Sequence, residues 1–308
     1  MSLAPYPINP ELTAIALAYR NARLIADDVL PRVPVGTAQF KYWKYTLADG
    51  FTLPDTKVGR KSRPNEVEFS ATEVTDSVVD YGLDDPVPQN DIDTAPPGRN
   101  PLDRATMGIM DLVLLDREQR AAALVFNASN YAAANKSTLS GTSQWSDPTS
   151  DPISAVLTAL DAMVMRGNIM VLGRATYSKL IQHPKIVEAV YKTGADAGIV
   201  QRRQLADLFE LEDVLVGEGW VNSAKKGQSV SLSRVWGKHC ALIYRDSLAD
   251  ANRGTTFGFT AQFGSRVAGT IPDPNIGMRG GQRVRAGESL KELITANDLG
   301  YLFTNAVA

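Results

Sequence analysis

Apolar residues recur at helical spacing over one unusually long stretch, residues 100–135. Leu102, Ala105, Ile109, Leu112 and Val113 recur at helical spacing, and the apolar run continues from Ala121 to Phe126. Asn100 stands where an N-cap belongs, Pro101 suits the first turn, and Asp103 lies near the positive end of the helix. Helical throughout, the stretch would reach about 50 Å, too far to cover a single small sheet. It predicts a spine spanning two parts of an elongated molecule. Gly108 costs about 1 kcal/mol relative to Ala inside a helix, so the pattern also predicts a bend there or a strut shortened at its ends.

Upstream the pattern changes twice. Pro5, Pro7 and Pro10 keep the first residues extended, and Leu12, Ile15, Ala16, Tyr19 and Leu24 predict a helix through about Asp27, stopped by Pro31 and Pro34. From Gly36 the chain reads as strand: residues 39–45 interleave aromatics with charge, and Val67, Phe69 and Ala71 alternate with polar residues over 66–79. Between them lies a long tip, residues 49–65, carrying Phe51, Lys57, Arg60, Lys61 and Arg63. Two strands with such a tip form a hairpin that cannot bury both faces within its own chain, and isolated hairpins are marginal. The arm is therefore expected to lie on a neighbouring subunit. Residues 83–99, rich in Pro and Asp, predict an irregular connection.

Downstream, residues 137–150 form a polar loop, and Asp151 and Pro152 restart a helix with Ile153, Val156, Leu157, Leu160 and Met163 on one face. Short apolar strands follow at 169–172, 214–216 and 240–244. Helices are expected at 176–182, 184–191 and 204–209. This is the signature of a small α/β unit with a covered sheet. Strand-like segments return at 256–263, 291–294 and 301–303, so the middle region reads as an insertion in a discontinuous domain.

Composition narrows the class. The 308 residues allow about two domains, and 44% apolar with 21% charged residues is ordinary for a globular chain. A net charge of −2 argues against a dedicated nucleic-acid binder. No apolar run approaches a membrane span, and the N-terminal residues lack a signal-type pattern. The lone Cys240 sits in an apolar run and reads as buried filler.

The chemistry is sparse. His183 precedes Pro184 at a helix boundary and His239 precedes a buried strand, so both read as structural; no zinc-type spacing or nucleophile-elbow motif is present. Asp84, Asp85, Asp91 and Asp93 lack the glycine and closing glutamate of a calcium loop. The glycines at 217 and 219, and at 277, 280 and 281, read as turns rather than phosphate cradles. Arg279, Arg283 and Arg285 join the tip residues as candidates for a charged interface rim or a solvated face. No catalytic residue, metal or cofactor is expected.

The order of arm, long hairpin, spine helix, inserted α/β unit and returning strands resembles the major capsid protein of tailed bacteriophages, with its Hong-Kong-97-type fold. NIMVLGRATYSKLIQHPKIVEAV, residues 168–190, and LADLFELEDVLVGEG, residues 205–219, look like the strand-and-helix passages of that family's axial domain. KELITANDLGYLFTNAVA, residues 291–308, resembles the closing strands of its peripheral domain.

The resemblance implies an α+β fold with an N-terminal arm at 1–34 and an extended β-hairpin loop at 35–79. A peripheral domain would be built from 80–150 and 251–308 and carry the spine, with an axial domain at 151–250. It implies a non-enzymatic chain that self-assembles as hexamers and pentamers into an icosahedral shell around double-stranded DNA, contacting that DNA without sequence specificity. The implied location is the virion, after assembly in the host bacterial cytoplasm and without membrane contact. Because the arm begins almost at Met1, a separate scaffolding protein or a processed product is expected, with a portal and a decoration protein as further partners. Lys57 and Lys61 are placed where some members crosslink. A histidine-poor α/β enzyme and a minor virion protein are the competing readings.

Overall fold

The computed structural model describes residues 6–19, 21–45, 53–66, 71–191, 198–225, 227–246, 248–249 and 255–308. The arm contributes helix α1 (Pro10–Ala18), started by Asn9, whose side chain accepts from the Glu11 and Leu12 amides. The expected continuous helix to Asp27 is instead broken at Tyr19 and resumes as a single turn, α2 (Ala26–Val29). The break has a cause: the Ile25 and Ala26 amides donate to the Glu118 carboxylate rather than back along the arm.

Strand β1 (Arg32–Val35) leads into the hairpin of β2 (Gln39–Tyr45) and β3 (Ala71–Ser77), paired in antiparallel register from Gln39–Ser77 to Tyr45–Ala71. Val67 and Phe69 of the expected second strand lie outside the described residues. Residues 83–93, expected to be irregular, are regular, and only 94–99 form an irregular connection. β4 (Val79–Pro88) is a ten-residue edge strand followed by the one-turn α3 (Gln89–Asp93). Pro86 and Pro88 read as breakers, but an edge strand tolerates a missing N–H.

The spine is α4 (Pro101–Val125), capped by Asn100 and unbroken at Gly108. Its 25 residues span about 37 Å, shorter than residues 100–135 would give. Side chains beyond its end capture its last carbonyls: the Asn130 amide donates to Leu124 O at 2.8 Å and the Tyr131 hydroxyl to Val125 O at 2.7 Å. That capture satisfies the helix terminus and turns the chain.

Two sheets flank the spine. β11 (Gly258–Asp273) and β12 (Gly281–Ile294) make a long antiparallel hairpin between β1 and β4, in the order β1-β11-β12-β4. Each is longer than the short strands expected at 256–263 and 291–294. A bulge after Phe263, with Gly264 at φ 68°, breaks the alternation of β11. The inward position Glu288 breaks that of β12.

The second sheet has the order β5-β13-β10-β6-β7, built from β5 (Lys136–Thr138), β6 (Ile169–Gly173), β7 (Asp213–Gly217), β10 (Cys240–Ile243) and β13 (Gly300–Thr304). β6 and β7 run parallel, and β10 is antiparallel to both β6 and β13. Helices α5 (Pro152–Ala162), α6 (Arg174–Leu180), α7 (Pro184–Tyr191) and α8 (Arg202–Phe209) accompany it. A small hairpin, β8 (Trp220–Asn222) with β9 (Leu232–Arg234), projects between β7 and β10. Residues 136–138 and 300–304 pair with the α/β sheet and not with the long hairpin. Trp145, within the expected polar loop, is fully buried against Phe303.

The α/β sheet buries both faces, which explains its uniformly apolar strands. One face meets α5–α8. The other meets the arm and the C-terminal half of the spine through Ala121, Ala122 and Val125. The N-terminal half of the spine, through Ala105, Ile109, Met110 and Val113, packs with α1 on the four-stranded sheet. The spine thus belongs to both cores.

Candidate assembly site

The tip of the long loop, residues 53–66, is exposed at every position. It is organised locally: Asp55 accepts from the Lys57 amide through its side chain at 2.9 Å and from the Asn65 side chain through its carbonyl at 2.7 Å. A turn closes from Ser62 N to Gly59 O. Lys57, Arg60, Lys61 and Arg63 lie on this tip, and none forms an ion pair among the described residues. Phe51 lies outside the described residues. Leu53 is 88% exposed and Val58 about half, so the tip presents apolar as well as cationic groups.

The second predicted cluster divides. Arg279 is exposed at the turn of the β11–β12 hairpin beside the fully exposed Met278. Arg283 and Arg285 are instead paired within the chain. Arg283 bridges Asp273 at 2.6 Å, and Arg285 grips Asp84 with two bonds of 2.7 and 2.6 Å while lying over the Tyr6 ring. The Arg285 guanidinium, outweighing burial, holds the Asp84 carboxyl below its ordinary value. Asp84 thus serves an ion pair rather than a cation site, and Asp93 accepts from Gln89. Among the described residues no group of three or more His, Cys, Asp or Glu could hold a metal ion.

The remaining singled-out residues take part in the chain's own hydrogen bonds and core. His183 is buried, its Nε2 within 3.1 Å of both Ser150 Oγ and Asp147 O. His239 Nδ1 accepts from the Asn305 amide at 3.1 Å. Cys240 is buried, and burial pushes its thiol up. The turn readings at residues 217–219 and 277–281 match the strand ends found there.

Sequence reasoning missed a charged junction where the arm crosses the spine. Glu288, fully buried on β12, takes Arg32 at 2.7 Å and Arg266 at 3.0 Å. Arg266 also donates to the Ala16 and Tyr19 carbonyls at the end of α1. Arg117, on the spine, pairs with Asp27 and donates to Leu30 O and Thr260 Oγ1. Arg120 pairs with Glu292 at 2.9 Å and lies over the Tyr81 ring at 3.5 Å. Burial opposes ionisation of Glu288, but Arg32 and Arg266 outweigh it and hold the carboxyl low; Arg117 and Arg32 do the same for the half-buried Asp27. The one available signal was the charged pair Arg117–Glu118 inside an apolar helical run, a costly placement unless partnered.

Known proteins share this arrangement. Residues 116–274 match the family model described as phage major capsid protein E. Over all 308 residues, and the full length of both chains, the sequence is 62% identical to the major capsid protein of Pseudomonas phage JBD67. It is 27% identical to that of Burkholderia phage BcepMu, over 96% of each chain. A phage-related protein from Bordetella bronchiseptica RB50 superposes with a TM-score of 0.76 at 25% identity, covering 98% of each chain. The capsid of cyanophage P-SCSP1u superposes at 0.58 with 10% identity, over 99% of this chain and 92% of that one, a likeness of fold. The chain belongs to the phage major capsid protein E family and has the mixed α+β, Hong-Kong-97-type capsid fold.

Proposed function

We propose that copies of this chain form the icosahedral head shell that encloses the double-stranded DNA of a tailed phage. The observation that carries the reading is the 62% identity over its full length to a phage major capsid protein. The architecture supports it. A hairpin that buries Phe40 and Tyr42 on the four-stranded sheet while its cationic tip stands exposed, without ion pairs among the described residues, and a spine shared by two cores suit a subunit that completes its packing on its neighbours. Many modest contacts repeated over a closed shell sum to a stable assembly.

In this reading the four-stranded sheet, α1 and the first half of the spine are the peripheral part, and the α/β sheet with α5–α8 is the axial part that meets its copies at the centre of hexamers and pentamers. The loop at 35–79 overlaps the adjacent subunit. Its residues Lys57, Arg60, Lys61 and Arg63, with Arg279 at the other exposed turn, set the register of the contact more than its strength, as rim charges do. A separate scaffolding protein, a portal and a decoration protein are the further partners, and the packaged DNA is touched without sequence preference. The near-neutral chain suits a wall that must not hold its cargo salt-dependently. Assembly takes place in the host bacterial cytoplasm, and the shell then resides in the virion.

The test is expression of the chain alone and with its scaffold, followed by negative-stain microscopy. Closed particles are expected; a persistent monomer in both preparations would refute the shell role. Deleting residues 49–65 should leave soluble subunits or small rings without closed particles, and normal particles from that deletion would remove the interlocking loop.

A further inference from the structure

The first half of the spine carries apolar groups on the face it turns to solvent. Arg104, Met107, Gly108 and Leu112 are exposed there, and Asp111 and Leu115 are half-buried. Gly108, Leu112 and Leu115 fall on one stripe at helical spacing, with Met107 at its margin. Met107 is 40% and Leu112 56% exposed. Single exposed apolar side chains are ordinary, but these two flank a glycine inside a helix, where glycine is destabilising relative to alanine. A Cβ added at Gly108 would meet nothing within 4 Å. The chain's own packing thus leaves a notch in the surface, one turn before the most exposed leucine of the helix.

Two opposite charges border this stripe. Arg104 and Asp111 stand two helical turns apart and project from the same side of it, separated along the axis by about 10 Å. Arg104 forms no ion pair among the described residues, and Asp111 accepts from the Asn21 side chain through Oδ1 at 2.7 Å. A face with this pattern complements itself when turned end over end. A two-fold axis beside Gly108 makes two spines cross in opposite directions, with the backbones closest where the glycines meet. Leu112 of each copy then lies over Gly108 of the other, and Arg104 of each reaches Asp111 of the other. The loop tip of a neighbour fits the face less well, because Lys57, Arg60, Lys61 and Arg63 would bring cations against Arg104.

We propose that this face is a contact between two copies of the chain, crossing at Gly108 about a two-fold axis, with Arg104 of each paired to Asp111 of the other. The contact is isologous, so it closes at two copies. Its place in the shell rests on the proposed function, where it would join subunits of neighbouring rings; the contact itself does not need the shell.

The experiment is disulfide trapping in the full-length chain, whose one native thiol, Cys240, is buried. Arg104→Cys combined with Asp111→Cys should give a discrete disulfide-linked dimer under mild oxidation, in the concentrated soluble subunit and in any particles. Arg104→Cys alone should not, since the axis holds its two copies on opposite sides of the crossing. Adding Gly108→Leu should cut the dimer yield about tenfold or more while the subunit stays folded, because leucine is the better helix former. With the native cysteine alone, Arg104→Glu should weaken self-association measured by sedimentation, and Asp111→Lys added to it should restore it. No disulfide in either preparation would overturn the proposal, as would an unrestored double reversal. So would a ladder of longer oligomers, which marks a head-to-tail contact. A Leu112→Cys, Val58→Cys chain that crosslinks where Leu112→Cys alone does not would place the loop tip on this face and overturn it as well. Particles are scored separately by microscopy. Particles without the disulfide leave the shell reading standing and remove this contact, and a trapped dimer without particles does the reverse.

Discussion

Gly108 sits in the spine with nothing within 4 Å of where a Cβ would stand, and the helix runs unbroken through it. The chain's own packing therefore gives no reason for a glycine there. Gly108→Ala is expected to stabilise the isolated subunit by about 0.5–1 kcal/mol, from helix propensity and lost unfolded-state freedom, readable as a raised denaturant midpoint at unchanged slope. A neutral or destabilised subunit would mean that the helix is strained at that point. Trp145 is the opposite case. It is fully buried against Phe303 although its neighbours are Ser, Thr, Gly and Asp, and Trp145→Ala should cost about 3–5 kcal/mol. Periodicity could not reveal Trp145, because a single anchor in a polar loop has no period. Asn100, Asp151 and Pro184, by contrast, stand at helix starts where local chemistry alone suffices, and those starts were legible.

At the scale of elements, whatever was fixed by local pattern was readable: β2, β6, α5 and α7 fall where alternation and apolar runs place them. Elements whose pattern is interrupted by tertiary demands were not. β12 reads poorly because its inward positions run Val284, Ala286, Glu288, Leu290, and the carboxylate is paid for only by Arg32 and Arg266 from elsewhere in the chain. β4 is hidden by prolines that only an edge position permits, and the spine stops early because Asn130 and Tyr131 fold back on its last turn. The β12 case yields a sharp expectation. Glu288→Gln leaves the buried Arg266 guanidinium without a counter-charge and Arg32 with Asp27 alone, and should destabilise by about 3–5 kcal/mol. Arg266→Met at the same junction should also destabilise, and the pair together should fall short of the sum of the single effects, measured by chemical denaturation. Additive losses would show that the two side chains act independently.

For the whole molecule these groups set how stability follows pH, and their signs differ. Asp27, Asp84 and Glu288 are held below their ordinary values by their arginine partners, so the stability they supply is present above the unfolded carboxylate range, about 3.9–4.3, and is lost as pH falls through their lowered folded values. Glu118, pushed up by burial, contributes in the opposite sense: its share is present below that range and fades as pH rises through its raised folded value. His183 and His239 are both lowered by burial, and the folded state resists their protonation. Their contribution is complete above the unfolded histidine value of about 6.5 and declines as pH falls below it toward the lowered folded values. Urea midpoints of the free subunit should therefore fall in two stages on acidification, a first below about 6.5 and a steeper one below about 4. In His183→Gln the first stage should shrink, because the ring that must charge is gone, while the second stage keeps its position because the arginine–carboxylate pairs of the junction are untouched. A first stage of full size in that variant would assign it wholly to His239, whose Nδ1 accepts from Asn305 and whose ring lies against Phe126 at the end of the spine. A wild-type midpoint flat from neutrality to about pH 4 would instead mean that both rings charge in the folded state at no cost.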